Sequence, residues 1–322
     1  MKLVMFRARS DEKNRARAGA LLPSGEILAL AQAASALGIE ERPCHLLGSL
    51  HEMLSEWNAS LDITKRLVDK VMGSDVETAA LKSSVYGRDS VNVWPPLSSP
   101  GKFICPGMNF ADHITEQRGR VGGERPIPVA FAKFSTAIIG PDEPLYLPEG
   151  IEQVDYEVEM AAVISRRVKG VNEEDALSHV AGYMILNDIS ARGVQAEEMD
   201  RGLLLLGKNF DGFAPLGPWL VTADEIPEPQ NLEMELWIEG EPEPRQKSNT
   251  GKMIYSFAEM IAYWSQVSLE PGDVISSGTP SGVAAFREPD PGPWYLKPGQ
   301  VVIAKVEKLG ELRTPIARAG TV

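Results

Sequence analysis

Asp155, Glu157 and Glu159 occupy alternate positions of the otherwise apolar run Val154–Ile164. Successive side chains of a strand point to opposite faces, so the three acids share one face and Tyr156, Val158 and Met160 share the other. Ala161–Ile164 is apolar on both faces, which carries the strand into the interior. A carboxylate entering a low-dielectric core has to be paired, protonated or bound to a metal. Neighbouring acids on one face also repel each other. A hard divalent cation relieves both costs at once. An edge strand with one wet face would show the same alternation, and its acids would then do no chemistry.

A third acid can complete a coordination shell. Asn187-Asp188-Ile189-Ser190-Ala191-Arg192 follows the apolar run Tyr183–Leu186, which reads as the end of a buried helix. Glu157, Glu159 and Asp188 together form an all-oxygen set, which favours Mg²⁺, Mn²⁺ or Ca²⁺ over zinc. Asp188 is equally readable as a capping or turn residue. His113 has Glu116 at the i,i+3 spacing of one helical turn. That pair could orient and activate a water as general base, or be a surface ion pair. Arg192 lies one turn beyond Asp188, and Lys208 follows the apolar run Leu203–Leu206. Beside a metal, Lys208 would stabilise an oxyanion or enolate; away from one it is a solvated loop lysine. Ser277–Val283 offers backbone N–H groups and small side chains that can hold a carboxylate. It lacks the lysine pattern of a phosphate-binding loop.

The surrounding pattern predicts the elements that carry these residues. Residues 1–95 read as a small α+β unit, with a strand at Lys2–Arg7 and a hairpin over Gly19–Leu30 turned at Pro23-Ser24-Gly25. Helices are predicted at Ala31–Leu37, Leu46–Ala59 and Thr64–Lys70, and the proline-rich segment Trp94–Pro100 reads as a linker. A larger unit spans 101–322. It opens with the strand Lys102–Cys105 and a brief helix over Ala111–Gln117. Further strands are predicted at Val129–Phe134, Glu157–Arg166, Leu232–Ile238, Asp273–Ser276 and Val301–Val306. Two helices are predicted there, Glu173–Leu186 behind an Asn172 cap and Ser256–Gln266. Strands outnumber helices, so the fold class is α+β and mainly β.

Composition narrows the partners. A chain of 322 residues exceeds one ordinary domain. Its hydrophobic fraction of 43% and charged fraction of 24% are those of a soluble globular protein. No apolar run reaches membrane-spanning length, and Met1–Arg7 lacks a signal-peptide pattern, so no membrane partner is expected. A net charge of −13 repels a phosphate backbone and speaks against nucleic acid. Two cysteines, Cys44 and Cys105, lie far apart, which fits a cytoplasmic location without disulfides. An acidic protein that binds an anionic small molecule needs local cations in its pocket.

Seven collinear blocks resemble the fumarylacetoacetate hydrolase family: Gly107–Glu116, Phe131–Ile138, Asp155–Ile164, Asn187–Arg192, Gly207-Lys208, Ala214–Pro218 and Ser277–Val283. They run from about residue 101 to the C-terminus in the family's order. The first hundred residues resemble the variable N-terminal domain of bacterial members. The resemblance implies a mixed β-sandwich or β-roll and a Mg²⁺ or Mn²⁺ site on Glu157, Glu159 and Asp188, with Asp155 a neighbour. It implies a water-activating pair, His113 and Glu116, on a lid, and substrate-holding residues at Arg192, Gln195, Lys208 and Thr279. Lys133 matches a family lysine near the site, and the resemblance further implies a homodimer. Two positions depart from the pattern: Gly193 replaces the usual acid after Ser-Ala-Arg, and Met199–Leu206 replaces a Gln-aromatic stretch before Gly-Lys. The activity implied is hydrolysis of a carbon–carbon bond in a small anionic 2,4-dioxo acid. Isomerisation or decarboxylation of oxo-diene dioates or oxaloacetate is the alternative on the same residues. A non-catalytic, metal-dependent binding protein is the alternative of a different class.

Overall fold

The computed structural model describes residues 1–11, 15–73, 81–118 and 127–318. Its largest sheet runs, in spatial order, through Val85–Tyr86, Ile27–Ala29, Arg17–Leu21, Lys2–Ala8, Ala214–Thr222, Val180–Asn187, Val158–Ile164, Val274–Ser276, Phe103–Pro106 and Ala130–Ala132. A five-stranded sheet, ordered Gln246–Asn249, Glu233–Ile238, Val301–Val306, Gly310–Arg318 and Leu145–Leu147, packs against the middle of it. Burial alternates along Glu233–Ile238 and Val301–Val306, so one face of the smaller sheet points inward and the other meets water. The α+β, mainly β expectation holds.

Lys2–Ala8 pairs antiparallel with Ala214–Thr222, Lys2 opposite Val221 and Leu3 opposite Leu220. Residues from both sides of the Trp94–Pro100 segment therefore share one sheet. The helices of the first hundred residues, Leu30–Ala36, Leu50–Ser55 and Trp57–Met72, cover its end with Leu30, Leu50, Met53, Ile63 and Leu67 buried. The helix predicted over Leu46–Ala59 is instead split, since a 3-10 turn occupies Arg42–Leu46 and the chain breaks again at Glu56. Among the described residues, no helix is long and apolar enough to cross a membrane.

One departure bears directly on the site. The predicted helix Glu173–Leu186 is a single turn, Glu173–Ala176, followed by a 3-10 turn at Leu177–His179 and then the strand Val180–Asn187. The cap is real, because the Asn172 side chain accepts from Asp175 N at 2.9 Å. The helix ends early because Val180–Asn187 finds partners on both sides, Val158–Ile164 and Ala214–Thr222. Every residue of that strand is buried, and a run apolar on both faces does not separate a buried strand from a buried helix. Asp188 thus leaves the end of a strand rather than of a helix.

Gly182 shows how closely these strands pack: a Cβ there would meet the Val221 carbonyl of the neighbouring strand. Gly182→Ala is expected to lower unfolding stability by about 1–3 kcal/mol through overpacking. Urea denaturation, read as a fall in midpoint at constant slope, checks this.

Candidate metal centre and the cavity around it

Antiparallel register places the three acids. Val158 lies opposite Asn187 and Glu159 opposite Leu186, so Glu157 and Asp188 sit side by side at the strand ends. Asp188 N donates to Glu157 O at 2.9 Å, and the Asn187 amide oxygen accepts from Glu157 N at 2.9 Å. Period-two alternation then brings Glu159 to the same face as Glu157. Carboxylate oxygens of Glu157, Glu159 and Asp188 all lie within 4.8 Å of one another, and all three residues are buried. Asp155 stands apart. The chain leaves the main sheet at Tyr156, and Val154–Asp155 pairs with Ser190–Ala191 in a separate two-stranded sheet.

Three cations are folded into the same volume. Lys208 Nζ donates to Glu157 Oε2 at 2.7 Å and to Asp188 Oδ2 at 2.8 Å. Lys133 Nζ lies 2.6 Å from Asp188 Oδ1 and donates to the carbonyls of Lys208 at 2.5 Å and Phe213 at 2.7 Å. Arg192 donates from Nε to Asp155 at 2.7 Å, from Nη2 to Glu157 at 2.6 Å and from Nη1 to Gln195 at 2.9 Å. Burial alone would raise the Glu157 carboxyl, but Lys208 and Arg192 outweigh it and hold its pKa at about 2. Burial would likewise depress the Lys208 ammonium, yet Asp188 and Glu157 prevail and hold it above the ordinary lysine value.

Glu159 is the exception. Burial pushes its carboxyl well above the usual carboxylate range, and the charges of Asp188 and Glu157 push further. Its Oε2 is buried with no hydrogen-bond partner among the described residues. With Glu159 ionised, four buried acids (Asp155, Glu157, Glu159 and Asp188) against three cations would leave one negative charge uncompensated, the same cost that pushes its carboxyl up. An orphaned carboxylate oxygen converging with two others is the donor set a divalent cation satisfies, so the residues fit the group the sequence implied.

These groups line a cavity of about 670 Å³ that His113, Glu157, Glu159, Asp188, Arg192, Gln195, Lys208 and Thr279 all reach. Val129, Phe131, Met199, Leu203, Leu204 and Phe286 form its apolar wall. The short helix Ala111–Arg118 carries His113, whose ring stacks at a tilt on Phe286 with centroids 5.7 Å apart. His113 Nδ1 stands 3.4 Å from Glu116 Oε2, a long contact. Glu116 does not line the cavity; it accepts from Gly282 N at 3.0 Å and ties the helix to the Ser277–Val283 turn. Asp112 ties the same helix to Ser248 at 2.9 Å and Lys252 at 3.2 Å. The Thr279 hydroxyl is already engaged, donating to Val158 O at 3.1 Å and accepting from Gln246 at 3.0 Å.

The cavity thus gathers His113, Glu157, Glu159, Asp188, Arg192, Gln195, Lys208 and Thr279, while Glu116 and Lys133 are not in its lining. Lys133, left without a role, proves to be the fully buried link between Asp188 and the Lys208 backbone. Sequence reasoning missed Gln246, which accepts from Val158 N at 2.9 Å and supports Thr279, because an isolated glutamine on an edge strand carries no signal.

A family model for the fumarylacetoacetate (FAA) hydrolase C-terminal region matches residues 102–317. Oxaloacetate tautomerase fahd2, mitochondrial, from Xenopus laevis is 40% identical over 268 residues, covering 82% of this chain and 81% of the relative. Among solved structures, the fumarylacetoacetate hydrolase from psychrophilic Exiguobacterium antarcticum aligns over 99% of each chain, with a TM-score of 0.74 and 30% identity. The 5-carboxymethyl-2-hydroxymuconate delta-isomerase from Mycobacterium smegmatis aligns over 100% of each chain, with a TM-score of 0.70 and 27% identity. Proteins named as tautomerase, isomerase and hydrolase are thus all similar to this chain, and the chain is an enzyme of the fumarylacetoacetate hydrolase family.

Proposed function

We propose that the chain catalyses keto–enol tautomerisation of oxaloacetate, moving a proton between C3 and the 2-oxo oxygen, with a divalent ion as cofactor. The observation that carries it is the buried Lys208 ammonium, set among Glu157, Asp188 and the cavity and held charged by both acids. Two of its three N–H groups are committed, which leaves one for a substrate oxygen. Relatives named as oxaloacetate tautomerases, similar over four-fifths of both chains, support the substrate.

Glu157, Glu159 and Asp188 would hold Mg²⁺ or Mn²⁺, and that ion supplies the positive charge that acidifies the carbon beside a 2-oxo group. His113, the one imidazole among the described residues lining the cavity, takes the C3 proton. Lys208 donates its remaining N–H to the oxygen on which negative charge grows, and return of the proton from the His113 imidazolium to that oxygen gives the enol. Arg192 has two N–H groups beyond the three already committed, and with the Gln195 amide it holds the distal carboxylate.

Hydrolysis of a 2,4-dioxo acid is the second reading, favoured by one observation: His113 is paired with Glu116, as water activation requires. In that case His113 takes the proton from water, the water oxygen attacks the distal carbonyl, and Lys208 receives the charge of the departing enolate. The homodimer is carried as a proposal too. Phe134, Tyr146, Leu203, Leu205 and Leu206 are exposed apolar side chains, and a second copy would cover them. Light scattering on the eluting protein should return twice the chain mass.

Mg²⁺ at a hundredfold over its Kd should stabilise the wild type by about 2.7 kcal/mol. Glu159→Gln should melt no lower than the metal-free wild type and lose that Mg²⁺ shift; a retained shift, seen by calorimetry, would remove Glu159 from the metal site. With Mg²⁺, the wild type should speed the approach of oxaloacetate to its keto–enol equilibrium. Lys208→Met should lose about 10²–10³-fold in kcat, the cost of one oxyanion donor. His113→Ala should lose about 10²–10⁴-fold while keeping Mg²⁺ affinity. If oxaloacetate is left untouched and acylpyruvates are cleaved with ¹⁸O from water entering a product carboxylate, hydrolysis replaces tautomerisation.

A further inference from the structure

We propose that Glu198 is the positioning residue of this site, acting through the loop Met199–Gly207 to set Lys208 and the apolar wall of the cavity. The proposal rests on the reading of Lys208 as the cation that receives substrate charge.

Glu198 lies in the last turn of the helix Arg192–Met199. Its backbone carbonyl accepts from Arg201 N and Leu203 N, both at 3.0 Å. Its carboxylate crosses the loop and accepts three successive backbone amides, Leu205 N at 3.0 Å, Leu206 N at 2.7 Å and Gly207 N at 3.0 Å. One residue thus engages five N–H groups between Arg201 and Gly207 and closes the loop on itself. Consecutive amides converging on an anion form a concavity of partial positive charge, and bonds to an ionised carboxylate are the stronger kind. Burial would raise the Glu198 carboxyl, but the bonds from Gly207, Leu205 and Leu206 hold it below the usual carboxylate range.

Within one chain apolar packing does little to hold this loop. Leu203, Leu205 and Leu206 are 64%, 46% and 51% exposed there, so before any second copy covers them the loop is held by the Glu198 carboxylate and by Asn209 Nδ2, which donates to Leu205 O at 2.8 Å. Packing enters at one point: a Cβ on Gly207 would stand 2.8 Å from Gln195 N and 2.9 Å from Gln195 Cα, so the turn lies directly on the helix backbone. Lys208 is the next residue, and its carbonyl is fixed from the far side by Lys133. The lysine backbone is held between an anionic clamp before it and a cationic one after it. The same loop supplies Met199, Gly202, Leu203 and Leu204 to the cavity wall. Misplacement of a catalytic group by about 1 Å costs on the order of 10²-fold in rate, so the clamp has leverage on turnover without touching substrate.

The test compares Glu198→Ala, Glu198→Gln and Gly207→Ala with Glu197→Gln, whose side chain takes no part in the clamp. Amide hydrogen exchange, Mn²⁺ affinity, oligomer mass, melting temperature and Mg²⁺-dependent turnover are measured on the full chain, with oxaloacetate or whichever dioxo acid the wild type consumes. In Glu198→Ala, exchange at Leu205–Gly207 should accelerate at least tenfold and kcat should fall about 10–100-fold. Mn²⁺ affinity, oligomer mass and melting temperature should hold near the wild-type values. Glu198→Gln keeps one acceptor oxygen and should recover part of the turnover; Gly207→Ala should reproduce the kcat loss, and Glu197→Gln should match the wild type. Accelerated exchange with wild-type kcat in Glu198→Ala overturns the proposal while the lysine stands. Lys208→Met turning over like the wild type overturns the reading of Lys208 and the proposal with it.

Discussion

Four buried carboxylates, three converging at the ends of two paired strands and Asp155 on the small sheet beside them, are the constraint to which the rest of this structure answers. An ionised carboxylate in a low-dielectric interior costs several kcal/mol unless it is matched. Here the match is distributed. Lys208 spans Glu157 and Asp188, Arg192 spans Asp155 and Glu157, and Lys133 reaches Asp188 from behind. Each cation also fastens a separate piece of chain: Lys133 the Lys208 turn, and Arg192 the helix that starts at its own position. Charge neutralisation and loop placement are therefore one network. Only Glu159 lies outside it, and its Oε2 has neither a hydrogen bond nor an ion pair among the described residues, whereas Asp188 Oδ1 is met by Lys133.

The framework suits the task because its rigid and adjustable parts are separate. Val158–Ile164 and Val180–Asn187 are buried at every residue and bonded on both sides, so the acids at their ends cannot drift. The groups that must meet different substrates sit on loops and a short helix instead. His113 rides on a helix tied down by Asp112 and Glu116, and the apolar wall rides on the loop closed by Glu198. Glu116 faces two ways, toward the imidazole at 3.4 Å and toward Gly282 N at 3.0 Å. Whatever moves that helix moves both contacts together.

Legibility in the sequence followed burial chemistry. An acid at every second position is costly once the strand runs into an apolar interior, as Ala161–Ile164 does here, so Glu157 and Glu159 are legible in the sequence. Asp188, His113 and Lys208 stood out through the family resemblance more than through spacing. The main misreading, a helix over Glu173–Leu186, has a physical source. Asn172 and three acids in the first turn are a genuine helix start. The apolar run that follows has no polar face to reveal its period. Supporting residues were the least legible. Gln246 and Glu198 act on backbone groups that only the folded chain brings to them, Val158 N and Pro280 O for the first and the amides of Leu205–Gly207 for the second, and as sequence they are an ordinary strand glutamine and an ordinary surface glutamate.

Charge connects the whole molecule to the proposed chemistry. A chain of net charge −13 repels a dicarboxylate at long range, although salt screens that repulsion beyond about 8 Å. Inside the cavity the screening fails, and local charge decides what enters. With Glu159 ionised the buried cluster carries one surplus negative charge, which opposes a second anion. Two positive charges held by Glu157, Glu159 and Asp188 would reverse that sign, and the reversed site would welcome the dianion it had excluded. Ion binding before substrate is then a consequence of electrostatics rather than of any moving part. The orphaned oxygen of Glu159 is where that order is built in: pairing it with a fourth cation would neutralise the cluster and remove the acid's reason to bind an ion.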